Sequence, residues 1–367
     1  MMTQANDRID NLSLFFLIIA IIVETGLLLA PRILVQAAGA GAWLSVAMAL
    51  LPLACASFFM ARLGQLFPNE PFSSYCGKIV GKWPGILLNF FFTGYWIVNN
   101  GRILRNFSDI IKTSLLFRTP LEVVMLSFLI PAAYLARCGI KTLARFAVIA
   151  VIISIPIGGL LVFASYQAWN FSNLLPWMEK GWLKTALAGF FIVGQSEGLE
   201  SILFLLPFLK RPQKALPYTL AATAFTLSLM FMMVSATLLE FGASYTLRLA
   251  VPGITLIQSV ELPSHFLERL GSIYMAIWIL IVFPTVAAFL YLPSIVLAGT
   301  LKMPEPRPFV LLLLPIVYLT AILPPDITAV FKLSEMIKWF NMVAILVLPA
   351  ILFVIAKLRG YKPGGNP

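Results

Sequence analysis

Two apolar stretches of this 367-residue chain are interrupted by acid and glycine. The first break reads Glu24-Thr25-Gly26, and the second Gly194-Gln195-Ser196-Glu197-Gly198, with Glu200 two residues on. A carboxylate at bilayer depth costs roughly 2.5–3.5 kcal/mol on insertion scales, so such residues line a pathway or a ligand pocket. Paired interruptions in two corresponding halves are the sequence pointer to a secondary transporter that binds its ligand where the helices unwind. Each break is followed by a short apolar run expected to end at proline, Pro31 and Pro207. Two unrelated helix kinks would explain the breaks but not the carboxylate in both.

The chemistry open to each break differs. An unwound turn at Glu24-Thr25-Gly26 exposes amide N–H groups that can hold a carboxylate and carbonyls that can hold a cation, and Gly26 lets a ligand approach the backbone. An ionised glutamate repels a ligand carboxylate, so Glu24 more naturally meets an amine or carries a proton; the alternative is a protonated Glu24 hydrogen-bonded between helices. If helix resumes at once after the second break, Glu197 and Glu200 share a face, where two carboxylates do not easily both ionise. That pair would either transfer a proton or be neutralised by Arg102. Tyr95, Asn99, Arg102, Asn106 and Asp109 fall within roughly an 80° arc, a polar stripe expected to face the bundle interior or a water-filled vestibule. Arg105 and Asp109, four residues apart, read as a structural salt bridge near the headgroups.

These residues need elements to position them, and composition says which. With 60% hydrophobic and 11% charged residues and a mean hydropathy of +0.94, the chain has too little polar surface for a soluble body of its size. It reads as one all-α, polytopic membrane domain over residues 1–367. The net charge of +11 comes from short basic clusters between apolar runs, which set membrane orientation and do not suggest nucleic acid. Cys55, Cys76 and Cys138 have no disulfide or metal spacing and read as packing residues. His265 is the only histidine, so no histidine-based catalytic or metal cluster is expected. Phosphate-binding loops and Walker signatures are absent, and neither an enzyme nor a cofactor is suggested. Phe and Trp read as lipid-facing packing and interfacial anchors more than as ligand cages.

Apolar runs give ten spans at roughly 12–30, 42–61, 85–106, 120–136, 143–166, 185–208, 215–241, 269–299, 308–324 and 336–357. They divide five and five, over about 12–166 and 185–357. The eighth is long and contains Pro284 and Pro293, which should bend or tilt it. The N-terminal charge pattern, with Asp7, Arg8 and Asp10, fits a first spanning helix better than a cleaved signal. Inner loops each hold two or more basic residues, such as Lys210, Arg211 and Lys214, when both termini face the cytoplasm.

The stretches Leu14 to Ser45 (LFFLIIAIIVETGLLLAPRILVQAAGAGAWLS), Ser196 to Pro212 (SEGLESILFLLPFLKRP) and Phe266 to Pro308, with Asn173-Leu174-Leu175-Pro176, together resemble the B subunit of GerA-type spore germinant receptors. The resemblance covers nearly the whole chain. It implies membership of the amino acid–polyamine–organocation superfamily, with a five-plus-five inverted repeat (LeuT-like) and helices one and six unwound around a small-molecule site. It also implies a complex with A-type and lipoprotein C-type subunits in the spore inner membrane, sensing amino acids, sugars or nucleosides. Thr25, Gly26 and one glutamate of the sixth helix would then belong to the site. Glu24 stands where the family pattern suggests a small residue, and Glu197 with Glu200 leaves the register of the sixth-helix match open by three residues. A proton- or cation-coupled amino acid permease fits the same fold, and a purely structural membrane scaffold fits the intramembrane carboxylates least.

Overall fold

The computed structural model describes residues 7–259 and 270–362. His265 lies outside the described residues. The described chain is almost entirely helical. Its helices are α1 (Asn11–Ile22), α2 (Thr25–Ala38), α3 (Ala42–Met48), α4 (Leu50–Leu66), α5 (Phe72–Val80), α6 (Lys82–Ser114), α7 (Leu121–Arg137) and α8 (Ile140–Ala164) in the first half. The second half has α9 (Trp182–Phe191), α10 (Ile202–Leu205), α11 (Ala215–Thr246), α12 (Pro252–Gln258), α13 (Leu270–Thr300), α14 (Arg307–Ile322), α15 (Ile327–Met342) and α16 (Leu348–Leu358). Helix occupies each of the ten apolar stretches. Among the described residues five helical stretches are long and apolar enough to cross a membrane, and a sixth if the bent pair Trp182–Gln195 and Leu199–Phe208, at 51°, counts as one span.

The first break lies at Val23 and Glu24, between α1 and α2. Helix α1 begins on a side-chain cap: Asp10 accepts from the Ser13 amide at 3.2 Å and from the Ser13 hydroxyl. Those bonds hold the Asp10 carboxyl below the usual carboxylate range. Leu17 to Ile21 are wholly buried, as expected of a helix that is apolar all round and sits inside a bundle.

After the break the expectation of a short run ending at Pro31 fails. Pro31 lies inside α2, which continues to Ala38 and stops at Gly39, whose φ is +62°. A proline lacks one backbone donor but can sit within a membrane helix when its surroundings satisfy the freed carbonyl. Gly39 supplies a left-handed stop that a side-chain-bearing residue resists. Pro207 meets its expectation. It lies in a last tight turn, Leu206–Phe208, after which Leu209 is extended. Ile9 pairs there, donating to the Phe208 carbonyl at 2.9 Å and accepting from the Lys210 amide at 2.9 Å. The entry to the first span is thereby tied to the exit of the sixth.

Helix α13 runs unbroken through Pro284 and Pro293. It packs on α6, α7, α8, α14 and α1, while α11 packs on α1, α4 and α2, so the broken first span is enclosed from both sides. Helix α8 turns Ile152, Ile153, Leu160 and Phe163 outward, an apolar face that suits lipid.

Candidate ligand site at the two helix breaks

The second break is built by Gly198. Its φ of +95° is left-handed, and a β-carbon there would run into the Ile21 side chain of α1. Only glycine combines that conformation with that approach. The same residue corrects the expectation that Glu197 and Glu200 share a helical face. Helix does not resume at once: Leu199–Ser201 form a tighter turn before α10. The left-handed residue turns the chain between the two acids, and they take different partners.

Glu197 forms a buried ion pair with Arg102 of α6. Its second oxygen accepts from Asn341 Nδ2 of α15 at 2.8 Å, and the same nitrogen reaches the Gly194 carbonyl at 2.7 Å. Asn99 Nδ2 approaches Asn341 Oδ1 at 3.4 Å. Glu200 instead accepts from Trp96 Nε1 at 2.8 Å and from the Gly198 amide at 2.9 Å, folding back over its own turn. The Tyr95 hydroxyl faces the same carboxyl. Trp96 is wholly buried, so it is neither a lipid-facing residue nor an interfacial anchor.

Glu24, 1% exposed, lies in reach of both members of the ion pair: it interacts with the Arg102 guanidinium and, at hydrogen-bonding range, with the Glu197 carboxyl. The breaks of the first and sixth spans therefore converge, and one guanidinium serves two carboxyl groups. Gly26 accommodates this fold-back, since a β-carbon there would stand 2.9 Å from Glu24 Oε1. Thr25 opens α2, but its side chain lies outside the described residues. Ser196 returns its hydroxyl to the Ile192 carbonyl at 3.0 Å, and Gln195 is half-buried. Asn106 and Arg102 are buried as the polar stripe requires, and Arg105 bonds Asp109 at 2.9 Å and the Pro324 carbonyl at 2.9 Å.

Beside this cluster lies a partly open crevice with a solvent-accessible volume of about 50 Å³. Of the residues singled out in the sequence whose side chains are described, only Glu24 lines it. The other walls come from α8 (Ser154, Gly158), α11 (Met232, Met233) and α13 (Tyr274, Trp278). A smaller void, with a solvent-accessible volume of about 10 Å³, touches Ser196, with Leu53, Thr223 and Met230 on its other sides. Sequence reasoning missed Asn341, Trp96 and the crevice walls. Asn341 left a trace, a lone amide in an apolar span; the wall residues are ordinary apolar positions and left none.

The profile of the Spore_permease family, described as spore germination protein, matches residues 8–330. Spore germination protein YndE of Bacillus subtilis (strain 168) is 27% identical over 364 residues, covering 98% of this chain and 99% of that protein. Spore germination protein GerLB of Bacillus cereus is 22% identical over 364 residues, covering 98% and 97% respectively. In structure, the nucleobase-cation-symport-1 family transporter MHP1, closed with bromovinylhydantoin bound, superposes with a TM-score of 0.71 at 13% identity, over 96% of this chain and 79% of that one. The fold is therefore that of the LeuT-type transporters, and the chain belongs to the spore germination protein family.

Proposed function

We propose that this protein is the membrane subunit of a spore nutrient-germinant receptor, binding a small germinant where its first and sixth spans unwind and passing the change to A-type and lipoprotein C-type partners. In this reading the chain is one domain of ten spans in a five-plus-five repeat, in the spore inner membrane, with both termini on the cytoplasmic side. One observation carries the site: Glu24 and Glu197 arrive from two broken helices at a single guanidinium, Arg102, deep in the bundle. Buried charge without full compensation is costly, and a fold that only needed two kinks would have no use for it. A germinant that touches Glu24 changes the balance of that cluster, and both helix breaks move with it. Glu24→Gln and Glu197→Gln are each expected to impair nutrient-triggered germination while the protein still inserts in the membrane. Normal germination in both variants refutes the site.

The fold shared with a transporter supports a second reading, a permease that alternates access around the same breaks. Liposomes containing the isolated chain distinguish the two. Uptake of labelled amino acids driven by a pH gradient would favour the permease.

A further inference from the structure

The end of the bundle from which the C-terminal stretch leaves gathers positive charge that the helix breaks do not use. Residues 50–82 and 348–362, which span α4, α5, the first residue of α6 and α16 with its exit, hold six lysines and arginines, and Glu70 is the one acid among them. Lys78 takes that acid, at 2.6 Å. Arg62, Lys82, Lys357 and Arg359 form no ion pair among the described residues. Packing draws the elements together here: Arg359 Nη1 donates to the Lys78 carbonyl at 3.1 Å, and the Tyr361 ring lies 5.1 Å from that of Phe67. Cations held side by side repel one another, and a bound anion relieves them.

Beneath two of these cations runs a row of aromatic rings. Arg62 Cζ stands 5.5 Å from the Phe58 ring centre, and Lys357 Nζ stands 6.0 Å from that of Phe353. Phe59 joins the two, its ring 5.7 Å from each. The row crosses from α4 to α16, so Arg62 and Lys357 flank one seam between the helices. Away from the cations, exposed Leu51 and Cys55 continue the face of α4, and exposed Val347 and Val354 lead up to Lys357. Such a surface suits hydrocarbon. Trp83, 74% exposed beside Lys82, stands at the same end and marks the headgroup level, where tryptophan is enriched in membrane proteins.

We propose that this seam docks an anionic phospholipid, its phosphate between Arg62 and Lys357 and an acyl chain along Phe58 and Val354. An acidic segment of another protein would satisfy the cations and leave the apolar face below them bare. A phospholipid brings both parts in the order the seam presents them, and a zwitterionic headgroup, which carries its own ammonium, gains less from the cations. The seam shares no residue with the crevice at Glu24, and it binds lipid whether or not the helix breaks bind a germinant.

The test titrates the full-length protein in neutral detergent with dioctanoyl phosphatidylglycerol, dioctanoyl phosphatidylcholine, inorganic phosphate or a pentaglutamate peptide, reading apparent affinity from the rise in unfolding midpoint. Phosphatidylglycerol is expected to bind at least about tenfold more tightly than phosphatidylcholine. Each cation removed near an anionic headgroup costs about fivefold, so Arg62→Gln combined with Lys357→Gln should weaken phosphatidylglycerol roughly twenty-five-fold. Both side chains are exposed, so the substitutions open no cavity. Arg118→Gln combined with Arg248→Gln removes the same charge from exposed positions elsewhere and should leave that affinity within about twofold. Equal stabilisation by the two lipids, or equal losses in the two double variants, overturns the site. Inorganic phosphate stabilising as well as phosphatidylglycerol at the same concentration overturns the lipid assignment in favour of a small anion. Stabilisation by pentaglutamate without phosphatidylglycerol overturns it in favour of an acidic protein segment.

Discussion

Replacing Arg102 with leucine should be far more damaging than replacing Glu197 with glutamine, although each change breaks the same ion pair. The difference follows from the charge count. Arg102 is shared by Glu197 and Glu24, so Glu197→Gln leaves the guanidinium with Glu24 as its partner and the cluster neutral. What is lost is one charge-assisted bond, partly restored because the introduced amide oxygen still accepts from Asn341, and the expected cost is about 1 kcal/mol. Arg102→Leu leaves two buried carboxyls with no cation. Stranding a buried charge costs about 3–5 kcal/mol. The ceiling is the cost of adding one proton to the cluster, which at pH 7 for an ordinary glutamate is about 3.7 kcal/mol. A chain of this size loses roughly 2 °C in midpoint per kcal/mol, so the expected losses are about 7 °C for Arg102→Leu and about 2 °C for Glu197→Gln.

The sign of the pH dependence is a second readout. Losing the guanidinium makes the folded Arg102→Leu protein bind one more proton than the folded wild type, so its deficit relative to wild type shrinks as pH falls, by about 1.4 kcal/mol per unit near neutrality. Glu197→Gln should show no such recovery. Thermal unfolding of the three proteins in one detergent, at pH 7 and at pH 6, gives both numbers. Equal losses for the two variants, or a gap between them that does not narrow in acid, would refute the shared-guanidinium geometry.

Two further outcomes follow from the second break. Trp96→Phe keeps the packing but removes the donor that Glu200 Oε1 accepts at 2.8 Å, and thermal unfolding should show a loss of about 1–3 kcal/mol for the stranded buried oxygen. Gly198→Ala combines a left-handed backbone with contact against Ile21 and should lose about 2 kcal/mol or more. Gly159→Ala on α8, where a β-carbon meets nothing within 4 Å, should stay within about 0.5 kcal/mol of wild type in the same measurement. Matching midpoints for the two glycine variants would remove the argument for close approach of the first and sixth spans.

Among the site residues, those readable in advance were the ones that broke a local rule. Glu24, Glu197 and Glu200 stood out because charge in an apolar run is anomalous whatever surrounds it. Arg102 stood out because a polar stripe at helical spacing must face something polar. The reading of Glu197 and Glu200 as one pair failed because it assumed a regular helix after Gly198, and a single left-handed residue redirects everything beyond it. Trp96 was hidden by its type. Tryptophan serves lipid, core and hydrogen bond alike, and only the arrival of Glu200 from 104 residues away selects among them.

The amino-acid sequence by itself determined the membrane class, the run of helical stretches and the two places where helix fails. Hydropathy, helical period and glycine freedom act over a few residues and are written where they act. Tertiary structure alone decided that Arg102 serves Glu197 across 95 residues, that Asn341 closes the same carboxylate across 144, and that α8, α11 and α13 wall a crevice against Glu24. Partner choice depends on which helices lie side by side and at what rotation, and packing sets that over the whole bundle at once, beyond the reach of any local pattern.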